Sequence, residues 1–435
     1  MQEDSMSTAM NAGPTVATWP GLAPRLLRTE AGVETLAEYR GAGGYTALSD
    51  PQELLDEIGR AGVLGRGGAA FPTAVKLATV RRAALRGVDT VLVANGEEGE
   101  PASVKDRWLL RHRPHLVLDG LRLAAQIIGA RHAHVYVSDS LAAQTIRSAL
   151  DDATTDALDG ITVGVRTVEA GYVAGEETAA VRAINGGPAK PTDKPPRPFE
   201  EGVGGLPTIV SNVETLANLP FVHRYGALSY RQAGTDGSPG TFLATLTGGG
   251  RGAGLYEVPF GTPAAELFEL HGVPAQQIRG ALMGGYFAGM LDRRILDGTL
   301  DHAALRELGS GLGCGAVSVL TEECPVAVGA AVLDYYSREN AAQCGSCFNG
   351  TAAMAAAAAA LRDGVADADD LARLRRWSVV LRGRGACATL DAATNIAASL
   401  LAMFPDDVAR HLDGRCPDCA EAPFTAQRPF EVESL

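Results

Sequence analysis

The chain has 435 residues, 46% of them hydrophobic, and a formal net charge of −13 at pH 7. That length accommodates two or three domains with well-buried cores. The acidic balance argues against nucleic acid or an anionic membrane surface as a partner, and no apolar run reaches the roughly 18 residues needed for direct membrane insertion.

Residues 1–45 open with MQEDSMSTAMNAGPTVATWPG, which lacks the basic and apolar regions of a signal peptide. They are expected to form a disordered or extended lead, and the protein is expected in the cytoplasm, free or peripheral to a membrane-bound complex. Residues 50–60, DPQELLDEIGR, pattern as an amphipathic helix, followed by the glycine-rich VLGRGGAAFPTAVKL running into a second helix. TVLVAN (90–95) is a short apolar run of the kind buried in parallel sheets, and it ends in the carboxylate cluster GEEGEP. A helix over 115–130, the strand HAHVYVS, the helix SLAAQTIRSALDDA and the strand ITVGVRTVE follow. Strands alternating with helices predict βαβ units and a Rossmann-like, mainly parallel sheet over residues 46–235.

Residues 186–208 carry too much Pro and Gly for regular structure and are expected to be a functional loop. From 236 to 300, short strands surround one helix, giving a small α+β unit. Beyond 300 the chain becomes alanine-rich and helical, with Cys324 at a predicted N-cap and Pro325 at the first helical position. Residues 301–415 read as a helical bundle and 416–435 as a mobile tail.

Chemistry concentrates in a few segments. GRGGAAF (65–71) suits either a phosphate-cradling loop or an ordinary tight turn. Glu97, Glu98 and Glu100 lie just past the end of a buried strand, where ligands of open α/β sheets bind and where carboxylates can accept hydrogen bonds from ribose or ribityl hydroxyls. A solvated acidic turn would look the same. GYVAGEETA (171–179) and IVSNVET (209–215) add polar groups to such a cleft. The chain's four lysines, Lys76, Lys105, Lys190 and Lys194, all fall in these segments.

All seven cysteines lie beyond residue 313. QCGSCFNG (343–350) holds Cys344 and Cys347, and Cys387 sits in a later glycine-rich loop. Thiolates without a neighbouring histidine suit a structural zinc or an iron–sulfur cluster, and a redox disulfide is the third alternative. Cys324, at a helix N-terminus, is a further candidate ligand. Cys314 is expected to be a packed small residue, and Cys416 and Cys419 to be exposed thiols of the tail.

Taken in order, GRGGAAFPTAVK, VANGEEGEPASVKDR, GYVAGEETA, KPPRPF, PTIVSNVETLANLP and the cysteine-bearing helical end resemble the flavin- and NADH-binding subunit of respiratory complex I. The matching subunits of NAD-linked hydrogenases and formate dehydrogenases share these motifs. The resemblance spans residues 45 to 410. It implies an FMN domain, a ubiquitin-like β-grasp domain and a helical bundle holding one [4Fe–4S] cluster. The implied reaction is hydride transfer from NADH to FMN, with single electrons leaving through the cluster to a ferredoxin-like or other redox subunit.

Carried over by position, FMN would be held by Gly65, Arg66, Gly67, Gly68, Lys76, Asn95, Tyr172, Gly175, Glu176, Asn212 and Thr215. NADH would meet Phe71, Glu177 and Lys194, with Glu98 and Glu100 near the reacting nicotinamide. Glu97 stands where the family has Asp. Arg197 replaces an adenine-stacking phenylalanine and Thr79 a second aromatic, which leaves NADP(H) open as the donor. Ala341 takes the place of the first cluster cysteine, so Cys344, Cys347 and Cys387 supply three ligands and Cys324 is expected as the fourth. A three-thiolate cluster, or no cluster, is the alternative for the metal. A non-catalytic relay or scaffold that has lost nucleotide oxidation is the alternative for the function.

Overall fold

The computed structural model describes residues 13–28, 30–153, 157–414, 416–433 and 435. The portion of the expected disordered lead at residues 1–12 lies outside the described residues.

The strand Val91–Asn95 is apolar on both faces because helices cover both faces of its sheet; Leu92, Val93 and Ala94 are fully buried. It pairs in parallel with His132–Val137 on one side and Thr208–Asn212 on the other, and Thr162–Thr167 completes a four-stranded parallel sheet. In this register Asn95 stands opposite Tyr136 and Asn212, so three polar side chains gather at the carboxyl ends of adjacent strands. The helices read from the sequence form at Pro51–Ala61, Thr73–Ala84, Pro114–Ile128 and Ser140–Asp152. Asp50 caps the first of these by accepting from the Gln52 N–H. Thr208–Asn212 has no counterpart among the strands read from the sequence.

A second, six-stranded mixed sheet runs in the order Thr15–Thr18, Arg251–Pro259, Thr241–Gly248, Ala316–Leu320, Gly280–Met283, Met290–Asp292. Two of its strands fall outside the 236–300 range expected for this unit. Ala316–Leu320 lies in the middle of the sheet, parallel to Thr241–Gly248 and antiparallel to Gly280–Met283. Thr15–Thr18 pairs in parallel with Arg251–Pro259.

The described part of the lead is therefore packed on this sheet through Thr15–Thr18, and a buried carboxylate holds residues 25–27. Glu257 is fully buried and accepts from the backbone N–H groups of Arg25, Leu26 and Leu27 at 2.9–3.1 Å and from Thr241 Oγ1 at 2.8 Å. Leu26 and Leu27 are buried as a result.

The third unit is helical: Pro325–Glu339, Gly345–Arg362, Ala368–Val380, Thr389–Met403 and Pro405–Leu412. Cys324 is the N-cap of the first helix and Pro325 opens it. Small residues let the helices approach closely. A Cβ on Gly329 would stand 3.0 Å from Leu400, and one on Gly350 2.7 Å from Leu381. Among the described residues no helix is long and apolar enough to cross a membrane.

Removing the Glu257 carboxylate would leave buried N–H groups without an acceptor, each costing about 1–3 kcal/mol. Glu257→Ala is expected to destabilise the chain by about 3 kcal/mol or more, and Glu257→Gln by less, read from the urea midpoint.

Candidate functional site

The glycine loop closes on itself through the Gly65 N–H, which donates to the Phe71 carbonyl at 2.9 Å. Gly68 adopts φ +111°, and a Cβ on Gly67 would stand 3.3 Å from Asn212 Cβ, so the loop lies directly against the end of the strand Thr208–Asn212. The Arg66 N–H donates to Thr215 Oγ1 at 2.8 Å. Its guanidinium turns inward, donating to Tyr230 and to the Thr241 carbonyl at 3.0 Å and lying over the Phe260 ring. Arg66 thus shapes the loop from beneath.

Under the loop lies a buried cluster of charges. Lys105 Nζ is 2.7 Å from Asp106 and 3.0 Å from Glu214, and the Arg66 guanidinium reaches Glu214 at 3.7 Å. Asn212 joins it by donating to Asp106 at 2.6 Å and accepting from Lys105 at 3.4 Å. Carboxylate neighbours hold the Lys105 ammonium charged against its burial, while burial pushes the Asp106 carboxyl up from the ordinary range. In the sequence Lys105 stands out only as a rare lysine, and nothing local marks Asp106 or Glu214.

The carboxylate loop divides its residues sharply. Glu98 accepts from Ser103 Oγ at 2.6 Å and from the Asp106 and Arg107 N–H groups at 3.2 and 3.0 Å, capping the helix Lys105–His112. Glu100 accepts from the Tyr286 N–H at 3.0 Å, and a Cβ on Gly285 would collide with its carboxyl. It therefore joins the loop to the mixed sheet. Glu97 is buried, accepts from the Gly171 N–H at 3.4 Å, and its Oε2 has no hydrogen-bond partner among the described residues. That oxygen lies close enough to Gly175 to exclude a Cβ there. Burial pushes both Glu97 and Glu100 up to about 8.

At the mouth, Lys76 donates to the Val210 carbonyl at 2.5 Å and lies 3.7 Å from Glu177. Lys194 bridges Glu176 at 2.6 Å and Glu177 at 3.4 Å, and Glu176 caps the helix Glu177–Ile184. Asn95 donates to the Gly175 carbonyl at 2.8 Å. Phe71 is 53% exposed, an available face at the rim. Arg197 is exposed, its N–H donating to Glu200. The Tyr172 hydroxyl accepts from Tyr336 at 3.1 Å, within an aromatic group that includes Tyr286 and Tyr335. Tyr335 also donates to the Gly99 carbonyl at 3.3 Å.

Cys344, Cys347 and Cys387 line one small cavity with Ala341, Ala386 and Pro191. The Ala386 N–H points at Cys344 Sγ at 3.4 Å. Burial, and then the neighbouring Cys387 and Cys344, push the Cys347 thiol up to about 12. The loop over 186–208 holds this cavity against the first domain: Gln343 donates to the Pro191 carbonyl at 2.6 Å and Lys190 to the Ala341 carbonyl at 3.2 Å.

Cys324 does not join this cavity, which corrects its assignment as fourth ligand. It caps the N-terminus of Pro325–Glu339, whereas the Ala341–Cys347 loop follows the other end of that 15-residue helix. At about 1.5 Å per residue the two ends stand roughly 22 Å apart. The Cys324 sulfur lies instead 3.2 Å from His411 Nε2 and 3.8 Å from Cys416 Sγ. Cys416 and Cys419, expected as exposed tail thiols, are half-buried beside it.

Residues 58–221 match the Nuo51 FMN-binding domain, and residues 327–411 match the NADH-ubiquinone oxidoreductase-F iron-sulfur binding region. The chain is 32% identical over 406 residues to an NADH-quinone oxidoreductase subunit of Rhizobium meliloti (strain 1021), covering 88% of this chain and 96% of the relative. It is 30% identical over 407 residues to NADP-reducing hydrogenase subunit HndC of Solidesulfovibrio fructosivorans, covering 88% and 82%. It is also 32% identical over 372 residues to the mitochondrial NADH dehydrogenase [ubiquinone] flavoprotein 1 of Dictyostelium discoideum, covering 82% and 78%. Among solved structures it is similar to the NAD+-reducing [NiFe]-hydrogenase in the H2-reduced state, with a TM-score of 0.76 and 29% identity over 85% of this chain. It spans 63% of that hydrogenase chain. The fold and the cysteine cavity thus define a flavin-domain and iron–sulfur-domain protein. The chain belongs to the family of NADH dehydrogenase flavoproteins that these relatives represent.

Two outcomes test the site. Lys105→Met would remove the ammonium held between Asp106 and Glu214 and is expected to destabilise the chain by about 3–5 kcal/mol in urea unfolding. Glu97 and Glu100 hold their protons up to about pH 8 when folded but only to about 4.3 when unfolded. The stability this provides is full below about pH 4.3 and is lost as pH rises through about 8. Unfolding of the flavin-free protein between pH 5 and 8.5 should become easier with pH, and Glu97→Gln should flatten that slope.

Proposed function

We propose that this chain is an NADH-oxidising subunit that binds FMN at the glycine loop and passes electrons through an iron–sulfur cluster to a partner redox subunit. The observation that carries the reading is a glycine loop whose Gly67 lies directly against Asn212 at the end of the parallel sheet, together with a buried Glu97 whose Oε2 lies against Gly175 and has no hydrogen-bond partner among the described residues. A carboxyl held up to about 8 is largely protonated at neutral pH, so Glu97 can donate a hydrogen bond to a flavin hydroxyl or carbonyl. Bound FMN supplies the exchange between two-electron and one-electron transfer that nicotinamide does not perform readily.

The chain's own residues hold and shape. Lys76 and Lys194 place positive charge at the mouth for phosphate, and Phe71 offers a stacking face. Glu98 and Glu100 serve as walls of the nucleotide cleft, fixed by the helix that Glu98 caps and the sheet that Glu100 joins. The tyrosines and the loop over 186–208 seat the cysteine cavity against the flavin domain. Cys344, Cys347 and Cys387 would hold the cluster, and Ala341 leaves its fourth position to a ligand other than cysteine.

The mixed-sheet unit corresponds in this proposal to a β-grasp module extended to Leu320. The domain division runs 46–235, 236–320 and 321–415. Residence in the cytoplasm, or on a membrane-bound complex through partner subunits, fits this role. The exposed Arg197, which offers a guanidinium where the family stacks phenylalanine, supports the second reading of a relay that no longer oxidises nucleotide.

Anaerobic titration of the FMN- and cluster-reconstituted chain with NADH, then NADPH, decides between them. Bleaching of the flavin band with loss of iron–sulfur absorbance is expected; a flavin that neither nucleotide bleaches would leave only the relay. Arg197→Phe should lower the KM for NADH about fivefold, the effect of about 1 kcal/mol of ring stacking. Ala341→Cys should raise iron content and slow its loss in air.

A further inference from the structure

Cys324, His411, Cys416 and Cys419 come from three separate places in the chain: a helix N-cap, the last turn of Pro405–Leu412, and the C-x-x-C of the tail. Their ligand atoms all lie within 4.8 Å of one another. We propose that they form a structural, tetrahedral zinc site, separate from the iron–sulfur cluster.

The distances carry the assignment. Zinc–sulfur bonds of about 2.3 Å and a zinc–nitrogen bond of about 2.0 Å at tetrahedral angles put sulfurs about 3.8 Å apart and sulfur about 3.5 Å from nitrogen. Cys324 Sγ lies 3.8 Å from Cys416 Sγ, and His411 Nε2 lies 3.2 Å from Cys324 Sγ and 3.7 Å from Cys419 Sγ. Four ligand atoms this close enclose a single ion. A four-iron cube would hold its ligating sulfurs outside the irons and farther apart.

The histidine is also set up for a metal. His411 Nδ1 lies 3.1 Å from the Leu361 carbonyl and 3.0 Å from that of Arg362. Carbonyls only accept, so Nδ1 carries the proton and Nε2 presents its lone pair to the sulfurs, the usual outer support of a metal-bound imidazole. Arg279 donates to Asp418 at 2.6 Å and to Asp407 at 2.8 Å, fixing the C-x-x-C turn against Pro405–Leu412. Cys324, Cys416 and Cys419 all fall outside the 327–411 region matched by the iron-sulfur family.

The ion would anchor a strap. Beyond Cys419 the chain returns across the bundle, where Tyr286 donates to the Pro429 carbonyl at 2.5 Å. The Val432 N–H donates to the Pro101 carbonyl at 3.0 Å, and Arg107, which also pairs with Glu98, donates to the Val432 carbonyl. The zinc therefore ties down one end of a segment whose other end rests on the carboxylate loop.

The test is metal analysis of the full chain, purified without added chelator and then reconstituted with iron and FMN. About one zinc per chain is expected beyond the cluster iron. Cys419→Ser and His411→Gln should lose zinc, keep iron and flavin, and become sensitive to proteolysis between residues 420 and 432. Cobalt exchanged into the unmodified chain should give thiolate-to-cobalt charge-transfer and intense d–d bands of a tetrahedral site, a readout that needs no variant to fold. Absence of both zinc and these bands, or a disulfide among the three cysteines in the purified chain, would overturn the proposal. So would loss of iron in step with Cys419→Ser.

Discussion

The glycine loop, the carboxylate loop and the end of the parallel sheet rest on one buried charge cluster. Lys105 lies between Asp106 and Glu214, and Arg66 closes on Glu214 from the other side. Each of these charges would be costly alone in the interior, and the pairs are tolerable only with the geometry intact. Because Lys105 and Asp106 belong to the carboxylate segment, Arg66 to the glycine loop and Glu214 to the end of the parallel sheet, the cluster sets these three segments relative to one another. Glu214 also accepts from the Leu243 N–H at 3.0 Å, extending that constraint into the mixed sheet.

What the sequence made legible was local. Apolar runs bounded by turns located Val91–Asn95 and His132–Val137, and the N-cap and proline signals located the helix after Cys324. What it hid was pairing between distant segments. Thr15–Thr18 is polar and weakly patterned, and it is a strand only because Arg251–Pro259 offers it an edge. Ala316–Leu320 follows a helix and precedes a bundle, so its place in the middle of a sheet that contains Thr241–Gly248 carries no local mark. The site divided in the same way. Motif order brought out the glycine loop and the strand-end asparagines, whereas periodicity gave no hint that Glu98 spends its oxygens on a helix N-terminus.

The two sulfur sites illustrate how one element can settle an ambiguity that composition cannot. Spacing alone allowed Cys324 to serve the C-x-x-C at 344–347. A straight helix of 15 residues between them forbids it, since a helix is a spacer as well as a packing surface. His411 is inconspicuous in the sequence because a histidine beside Arg410 in the last turn of a helix is also a common dipole-complementing residue. The signal that could have found it is the C-x-x-C that follows five residues later, in a chain with few other histidines to pair with thiols.

Glu97 and Glu98 are adjacent carboxylates with opposite fates, and backbone geometry is the reason. Glu98 points toward the start of Lys105–His112, where its oxygens accept from the free N–H groups of Asp106 and Arg107. Glu97 points the other way, toward Gly171 and Gly175, where the hydrogen bonds it accepts do not offset burial, so its proton is retained. Glu97 and Glu100 thus keep their protons on the same loop where Glu98 spends its oxygens on a helix N-terminus.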